Sequence, residues 1–347
     1  MTPRFTIAVL LLALCSLQCS KDNAVAPLPP ASAHAVYVLN EGNFQRGNAT
    51  LSEVLPDSSK AYPDVFAAAN GRGLGDTGNS LTLHNGRLYI VVNGSNRVEV
   101  VDARTAKLLK TIACPAGASP RHIVFDAAGT GYISNLYTRS VSVYDDATNS
   151  ITVELPVGEN PEQMLVANGR LFVTNSGFGN GRTVSVIDVV SRLAGSPLAV
   201  GDNPGAIAAL NDSIAVVLCT GAYNDFNNPD DDTPGMLFWL NTRACTVFDS
   251  LLLGGHPQRI AIDKSGMLYT VQADGIQRVT LSTKTRTDRF IPGAYYSVAF
   301  DGTRDRLYLT NPLDFVQPGT LGVYSLSGVK TAEYTVGIIP GAIVVTE

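Results

Sequence analysis

Four stretches of the chain repeat one order of apolar and polar positions. SPRHIVFDAAGTGYISNLYTRSVSVYD begins at Ser119 and NPEQMLVANGRLFVTNSGFGNGRTVSVID at Asn160. NPGAIAALNDSIAVVLCTGA begins at Asn203 and HPQRIAIDKSGMLYTVQADGIQRVT at His256. Each reads as a proline turn, an apolar strand, a polar turn, a second strand ending in small or polar residues, a variable loop and a third, alternating strand. A fourth strand leads to the next proline. Two further copies, without the proline, begin near Thr77 and Ala294. Alternation as in Val184-Ser185-Val186-Ile187-Asp188, with many β-branched residues, marks strands; no long amphipathic helix is expected. The period is roughly 40 residues, that of a four-stranded propeller blade.

Those copies make six blades, and the two ends of the chain supply a seventh. VGIIPGAIVVTE, Val336 to Glu347, has the turn and first strand of a blade and then stops. The segment AVYVLNEGN, followed by NATLSEVL, has a second and third strand but no first, and a fourth is expected near AYPDVFAAA. An unpaired terminal strand leaves backbone groups unsatisfied and a bare sheet edge, so the ends should pair. The expected fold is all-β: a single seven-bladed β-propeller of four-stranded blades over residues 35–347, its ring closed by N- and C-terminal strands in one shared blade.

Composition fits such a chain. The 32 glycines and 19 prolines supply many turns, and low charge with a net of −5 leaves no basic stripe interleaved with aromatics, so nucleic acid is not expected as a partner. The N-terminus reads as a leader: Arg4, then the apolar run FTIAVLLLALC, too short to span a bilayer comfortably. Residues 1–18 are read as a signal peptide, and Cys19 rather than Cys15 as a lipidated cysteine. Residues 19–34, His34 included, are then a proline-rich tether. Membrane contact would be by the lipid anchor only, with export to the outer membrane or cell surface. Simple secretion or a periplasmic location is the alternative. Leu14 and Gln18 precede the two cysteines, where a small residue is usual. Cys219 and Cys245 fall in the second and fourth strands of one blade, about 9–10 Å apart. A disulfide needs a Cα separation under about 7 Å, so these and Cys114 are expected as free thiols.

In this topology two loop sets share one face. The first precedes each inner strand and carries Asn79, Arg121, His122, Gln163, Gln258, Arg259, Tyr295 and Tyr296. The second joins second and third strands. It carries Asn43, Phe44, Gln45, Asn93, Asn135 and Tyr137, then Asn175, Phe178, Tyr223, Asn311 and Phe315. Rings stack, amides hydrogen-bond and arginine meets phosphate, a mix suited to a large, partly flat, amide-studded ligand. Each Asn also keeps a plain turn-forming reading.

Catalytic readings find little. His84 is at an outer turn, and His122 and His256 fit structural roles as readily as a channel-lining one. No serine is flanked as a nucleophile elbow. Asp230, Asp231 and Asp232, in NPDDDTPG, offer hard oxygens for calcium but lack EF-hand spacing, and a solvated acidic loop is the other reading. No enzyme is expected, and a lactonase-like ring of carboxylates and histidines cannot be assembled.

LFVTNSG followed by TVSVID, Leu171 to Asp188, resembles the YVTN-type propeller repeat of the YncE-like group. CSKDN, from Cys19, resembles the start of mature Bacteroidetes-type lipoproteins. VLNEGNFQRGNATLS (Val38 to Ser52), NGRGLGD (Asn70 to Asp76), VVNGSNRV (Val91 to Val98), SPRHIVF (Ser119 to Phe125), EQM (Glu162 to Met164) and the closing VGIIPGA resemble the corrinoid-binding surface lipoproteins of Bacteroidetes-type cobalamin uptake. The resemblance spans nearly the whole mature chain. It implies a non-catalytic seven-bladed propeller that captures cobalamin and passes it to a TonB-dependent outer-membrane transporter. A propeller that binds a protein partner or another nutrient is the alternative.

Overall fold

A computed structural model describes residues 34–223 and 232–346. These residues form seven four-stranded antiparallel sheets. Six are continuous in sequence: blade 1 from Gly78, blade 2 from Pro120, blade 3 from Pro161, blade 4 from Pro204, blade 5 from Gln258 and blade 6 from Ser297. Blade 7 takes its inner strand, Pro340–Val345, from the end of the chain and its other three, Val36–Asn40, Thr50–Leu55 and Lys60–Tyr62, from the beginning. Val36 pairs with Val345 and Leu39 with Ala342, and beyond them the Thr346 N–H donates to the Ala35 carbonyl while the Ala35 N–H donates to Thr346 Oγ1. The expected fold and its mode of closure are both present.

The core lies between blades. Strand alternation gives each sheet two faces, and both are apolar because each blade packs on two neighbours. Leu218 and Trp239 of blade 4 pack with Leu268 and Val279 of blade 5. Tyr37, Leu39 and Leu51 of the closing blade pack with Leu88 and Ile90 of blade 1. Third strands end on Asp102, Asp145, Asp188 and Asn241, whose side chains accept the N–H groups two and three residues on. These Asx turns fix the hairpin into the outer strand.

Three local expectations need correction. Only Lys60–Tyr62 of the proposed fourth strand at AYPDVFAAA is extended. Pro63 then interrupts pairing, and Asp64 caps a short helix, Val65–Asn70, by accepting the Ala67 N–H at 3.1 Å. Phe66 of this helix is wholly buried, so the segment still covers the blade. His34 is not a tether residue: it is buried on the face opposite the first loop set, 3.1 Å from Asp301 and 3.4 Å from Asp57. Cys245 sits in a turn between third and fourth strands with φ +52°, not in a strand. Cys114, Cys219 and Cys245 are free thiols, and burial pushes the first two up to about 12.

Candidate functional site

The inner strands do not enter the ring as regular β-structure. Pairing to the second strand slips near the start of the inner strand in blades 1 to 5, and again in blade 7. The residues left over are Asn79, Arg121 with His122, Glu162 with Gln163, Gly205, Arg259 and Gly341. A β-bulge re-aims its extra residue, and here it turns one position per blade toward the central shaft. Blade 6 has no such slip, and Tyr296, just ahead of its inner strand, takes the place. All of these positions line one cavity of about 490 Å³ at the ring's centre.

The shaft is charged but nearly balanced. Arg121 Nε donates to Glu162 Oε2 at 2.8 Å. Tyr296 Oη donates to Glu41 Oε2 at 3.2 Å, and Arg259 Nη2 stands 3.8 Å from Glu41 Oε1. Burial raises the Glu41 carboxyl above its usual range, opposed by Arg259, the Tyr296 hydroxyl and Arg121. Burial, then Arg121 and Arg259, lowers the His122 imidazole well below its ordinary value, so it is neutral at physiological pH. The Tyr296 phenol is pushed up to about 12, first by burial and then by Glu41.

Around the mouth stands a rim of exposed rings on the loops between second and third strands. Phe44 is 71% exposed, Phe178 64% and Tyr137 63%. Tyr137 and Phe178, from neighbouring blades, approach to 6.0 Å between ring centres. Phe315 meets Tyr296 edge-on at 5.8 Å, and Tyr223 stacks on His256 at 3.8 Å. Phe178 and Phe315 have φ of +51° and +63°. Aromatic residues adopt that backbone at a cost of order 1 kcal/mol, which the surrounding loop must offset.

The structure therefore brings together Arg121, His122, Gln163, Gln258, Arg259, Tyr223 and Tyr296 at the shaft, together with Asn79. Gln163 is partly committed, since its Oε1 accepts the Ile207 N–H at 3.0 Å. Other expected positions lie elsewhere. Asn135 and Asn175 are buried inside their blades. Asn135 Nδ2 donates to Ser142 Oγ at 2.7 Å, and Asn175 Nδ2 to Thr183 Oγ1 and Ser185 Oγ at 3.0 and 2.9 Å. These two are corrections to the loop-amide reading: they pin second strands to third strands. Asn93 donates to the Pro120 carbonyl, Asn43 to that of Phe315, and Asn311 accepts the Leu313 N–H. The Gln45 N–H is held by Asp76. The Tyr295 hydroxyl bonds with that of Tyr324 at 3.0 Å, away from the shaft.

Glu41 and Glu162 join the expected residues at this site, and both stand in segments that carry the family resemblance. The signal was available for Glu162: it occupies the position after the repeat proline that Arg121 occupies one blade earlier. Asp230 and Asp231 lie outside the described residues, while Asp232 Oδ2 is 3.4 Å from His256 Nε2. Among the described residues no group of three or more His, Cys, Asp or Glu side chains could hold a metal. His84, on the opposite face, stacks on Phe125 at 4.1 Å beside a cleft of about 480 Å³. The carboxylate there, Asp146, is taken up by Arg87, Lys110 and two tyrosines, which hold it down at about 2 against the effect of burial. No described helix is long and apolar enough to cross a membrane.

The family model described as "Domain of unknown function (DUF5074)" matches residues 34–213. No curated protein matches the chain. Among solved structures it is similar to hydrazine synthase of Kuenenia stuttgartiensis, at 14% identity and a TM-score of 0.64, over 76% of this chain and 88% of that one. It is also similar to a functionally unknown protein from Desulfotomaculum acetoxidans, at 13% identity and a TM-score of 0.67, over 90% of this chain and 99% of that one. Likeness at these identities concerns the fold alone.

Proposed function

The chain belongs to the DUF5074 family, and from that premise we propose that it is a non-catalytic capture protein that binds cobalamin at the channel face and passes it to a TonB-dependent outer-membrane transporter. The observation that carries this reading is where the corrinoid-protein-like segments fall. They supply Glu41, Arg121, His122, Glu162, Gln163 and Gly341, which meet at one mouth, and Phe44 on its rim. A corrinoid is broad and flat with amide arms and one phosphodiester. The mouth offers exposed rings for flat surface, amides for amides and arginine for the anion. Capture needs binding alone, and a face built on rigid strands loses little entropy on association.

Orientation is consistent with capture. The described chain starts at His34 on the face opposite the mouth. An anchor at Cys19 would attach there and leave the mouth facing away from the membrane, toward incoming ligand.

The test is calorimetric titration of the purified protein with cyanocobalamin. Saturable binding at micromolar concentration or tighter is expected, and absence of heat at those concentrations overturns the ligand assignment. A second reading, docking of a protein partner, draws on the apolar corner formed by Phe44, Leu313, Phe315 and Val316, each about half exposed or more. It predicts no corrinoid binding and co-purification with one outer-membrane protein.

A further inference from the structure

Arg259 is placed as few arginines are. It occupies the bulge of the blade 5 inner strand, with φ +54°, a left-handed backbone that a side chain of this size rarely adopts. Thr270 Oγ1 holds its carbonyl at 2.8 Å, so the conformation is fixed and the side chain is committed to the shaft. There the side chain is about two-thirds buried, at 32% exposure, yet among the described residues its five N–H groups make no hydrogen bond. Its ion-pair partner, Glu41, is 3.8 Å away and already accepts from Tyr296. Arg121 enters from blade 2, three places around a ring of seven and so as far from blade 5 as the ring allows. Its Nε is spent on Glu162, and its two Nη groups make no hydrogen bond among the described residues. The neighbouring bulge in blade 4 is Gly205, where a Cβ would meet only Thr220 Oγ1 at 3.9 Å, so there is room beside Arg259.

A partly desolvated guanidinium with open donors is costly unless an anion completes it. The carboxylates already present do not complete this one. Glu162 is held by Arg121, and Glu41 stands 3.8 Å from Arg259 and already accepts from Tyr296. His122, neutral in this setting, adds no positive charge, so the two arginines are the cationic donors of the shaft.

We infer that the shaft between Arg121 and Arg259 is an oxyanion site, taking a phosphate or carboxylate group of a ligand that enters from the channel face, with Arg259 as its principal donor and Glu41 as the group the anion displaces. This takes the channel as the binding site, as the proposed function does, but does not require the ligand to be a corrinoid.

The test titrates the full protein with inorganic phosphate and, separately, with acetate, in a buffer free of both, by calorimetry. Phosphate should bind saturably in the range of about 1 mM or below, with acetate the weaker of the two because it offers fewer acceptors to a two-arginine site. Arg259→Gln should weaken phosphate binding by about tenfold or more, and Glu41→Gln, which keeps the shape but removes the competing charge, should tighten it several-fold. If Arg259→Gln does not fold, Arg259→Lys keeps the charge without the fork and should fall between wild type and loss. Acetate binding tighter than phosphate assigns the site to carboxylates and leaves the inference standing. Absence of saturable binding by either anion, or phosphate affinity unchanged in Arg259→Gln, overturns it. The two proposals fail separately: phosphate binding without cyanocobalamin binding removes the corrinoid, and cyanocobalamin binding without saturable phosphate or acetate binding removes the anion site.

Discussion

Asn40 Oδ1 accepts the backbone N–H of Gly337 at 3.0 Å, across 297 positions of sequence. The same buried amide donates to Thr50 Oγ1 at 3.0 Å and Ser52 Oγ at 2.9 Å. One side chain thus ties the last strand of blade 6 to two strands of the closing blade. A Cβ on Gly337 would stand 2.4 Å from Thr50 Oγ1 and 2.6 Å from the Asn40 amide, so that approach needs glycine. Asn40→Ala leaves the Gly337 N–H and two hydroxyls without this partner in a dry site. A loss of about 1–3 kcal/mol is expected, measured as a lower urea midpoint with an unchanged slope.

Truncation tests the closure as a whole. Ending the chain before Ile338 removes Pro340–Val345 and exposes the edge of Val36–Asn40 along its full length. Apolar residues of both strands lie in the cores shared with blades 1 and 6, so the damage spreads to both neighbours. The expected outcome is loss of the cooperative transition, or a fall of more than about 10 °C in its midpoint. A truncated protein melting as the full chain does would mean that blade 7 is an appendage rather than the lock of the ring.

Asn135 and Asn175 repeat the Asn40 arrangement without the long-range link. Replacing either with Ala should cost about 1–2 kcal/mol while leaving ligand affinity unchanged, because neither side chain reaches the face. Chemical denaturation and calorimetry on the same samples separate the two effects. A loss of affinity at unchanged stability would contradict the placement.

These asparagines also show where sequence reasoning succeeded and where it stopped. Seven blades were legible because turn, apolar strand and alternating strand recur with one period, and because a first strand was missing at one end and supplied at the other. The asparagine pins left a mark that can be read afterward: Thr50-Leu51-Ser52, Ser140-Val141-Ser142 and Thr183-Val184-Ser185 each set two hydroxyls on one face of the strand facing the Asn. The bulges left none. One extra residue in a strand changes no composition and barely shifts the alternation, yet it turns Arg259 into the shaft. The helix Val65–Asn70 was hidden by its length, about two turns, although Pro63 and the capping Asp64 announce it.

The aromatic rim yields a prediction about binding with little effect on folding. Tyr137 and Phe178 are mostly exposed and touch each other rather than a core. Tyr137→Ala and Phe178→Ala should each change stability by no more than about 0.5 kcal/mol. If the rim stacks on a flat ligand, each should weaken cyanocobalamin binding by about tenfold, and the pair less than multiplicatively because the rings are neighbours. Titration of the single and double variants, with thermal melts alongside, checks both halves.

Glu53 makes stability depend on pH. It is 2% exposed, and burial raises its carboxyl to about 7 against the lowering effect of the Tyr37 hydroxyl. Tyr37 Oη donates to the Ala103 carbonyl at 2.6 Å and to Glu53 Oε1 at 3.1 Å, and one proton shared between two acceptors offsets only part of the cost of burying a carboxylate. The folded state therefore holds a proton that the unfolded chain releases near 4.5. The stabilisation is fully present below about pH 4.5 and is lost as pH rises through 7. Glu53→Gln, neutral at every pH, should match wild type near pH 4.5 and exceed it at pH 8 by on the order of 1–2 kcal/mol, discounted for solvent screening. Urea denaturation of both proteins at the two pH values decides the matter. Equal differences at both would mean that Glu53 is ionised throughout and that its burial is compensated by some other partner.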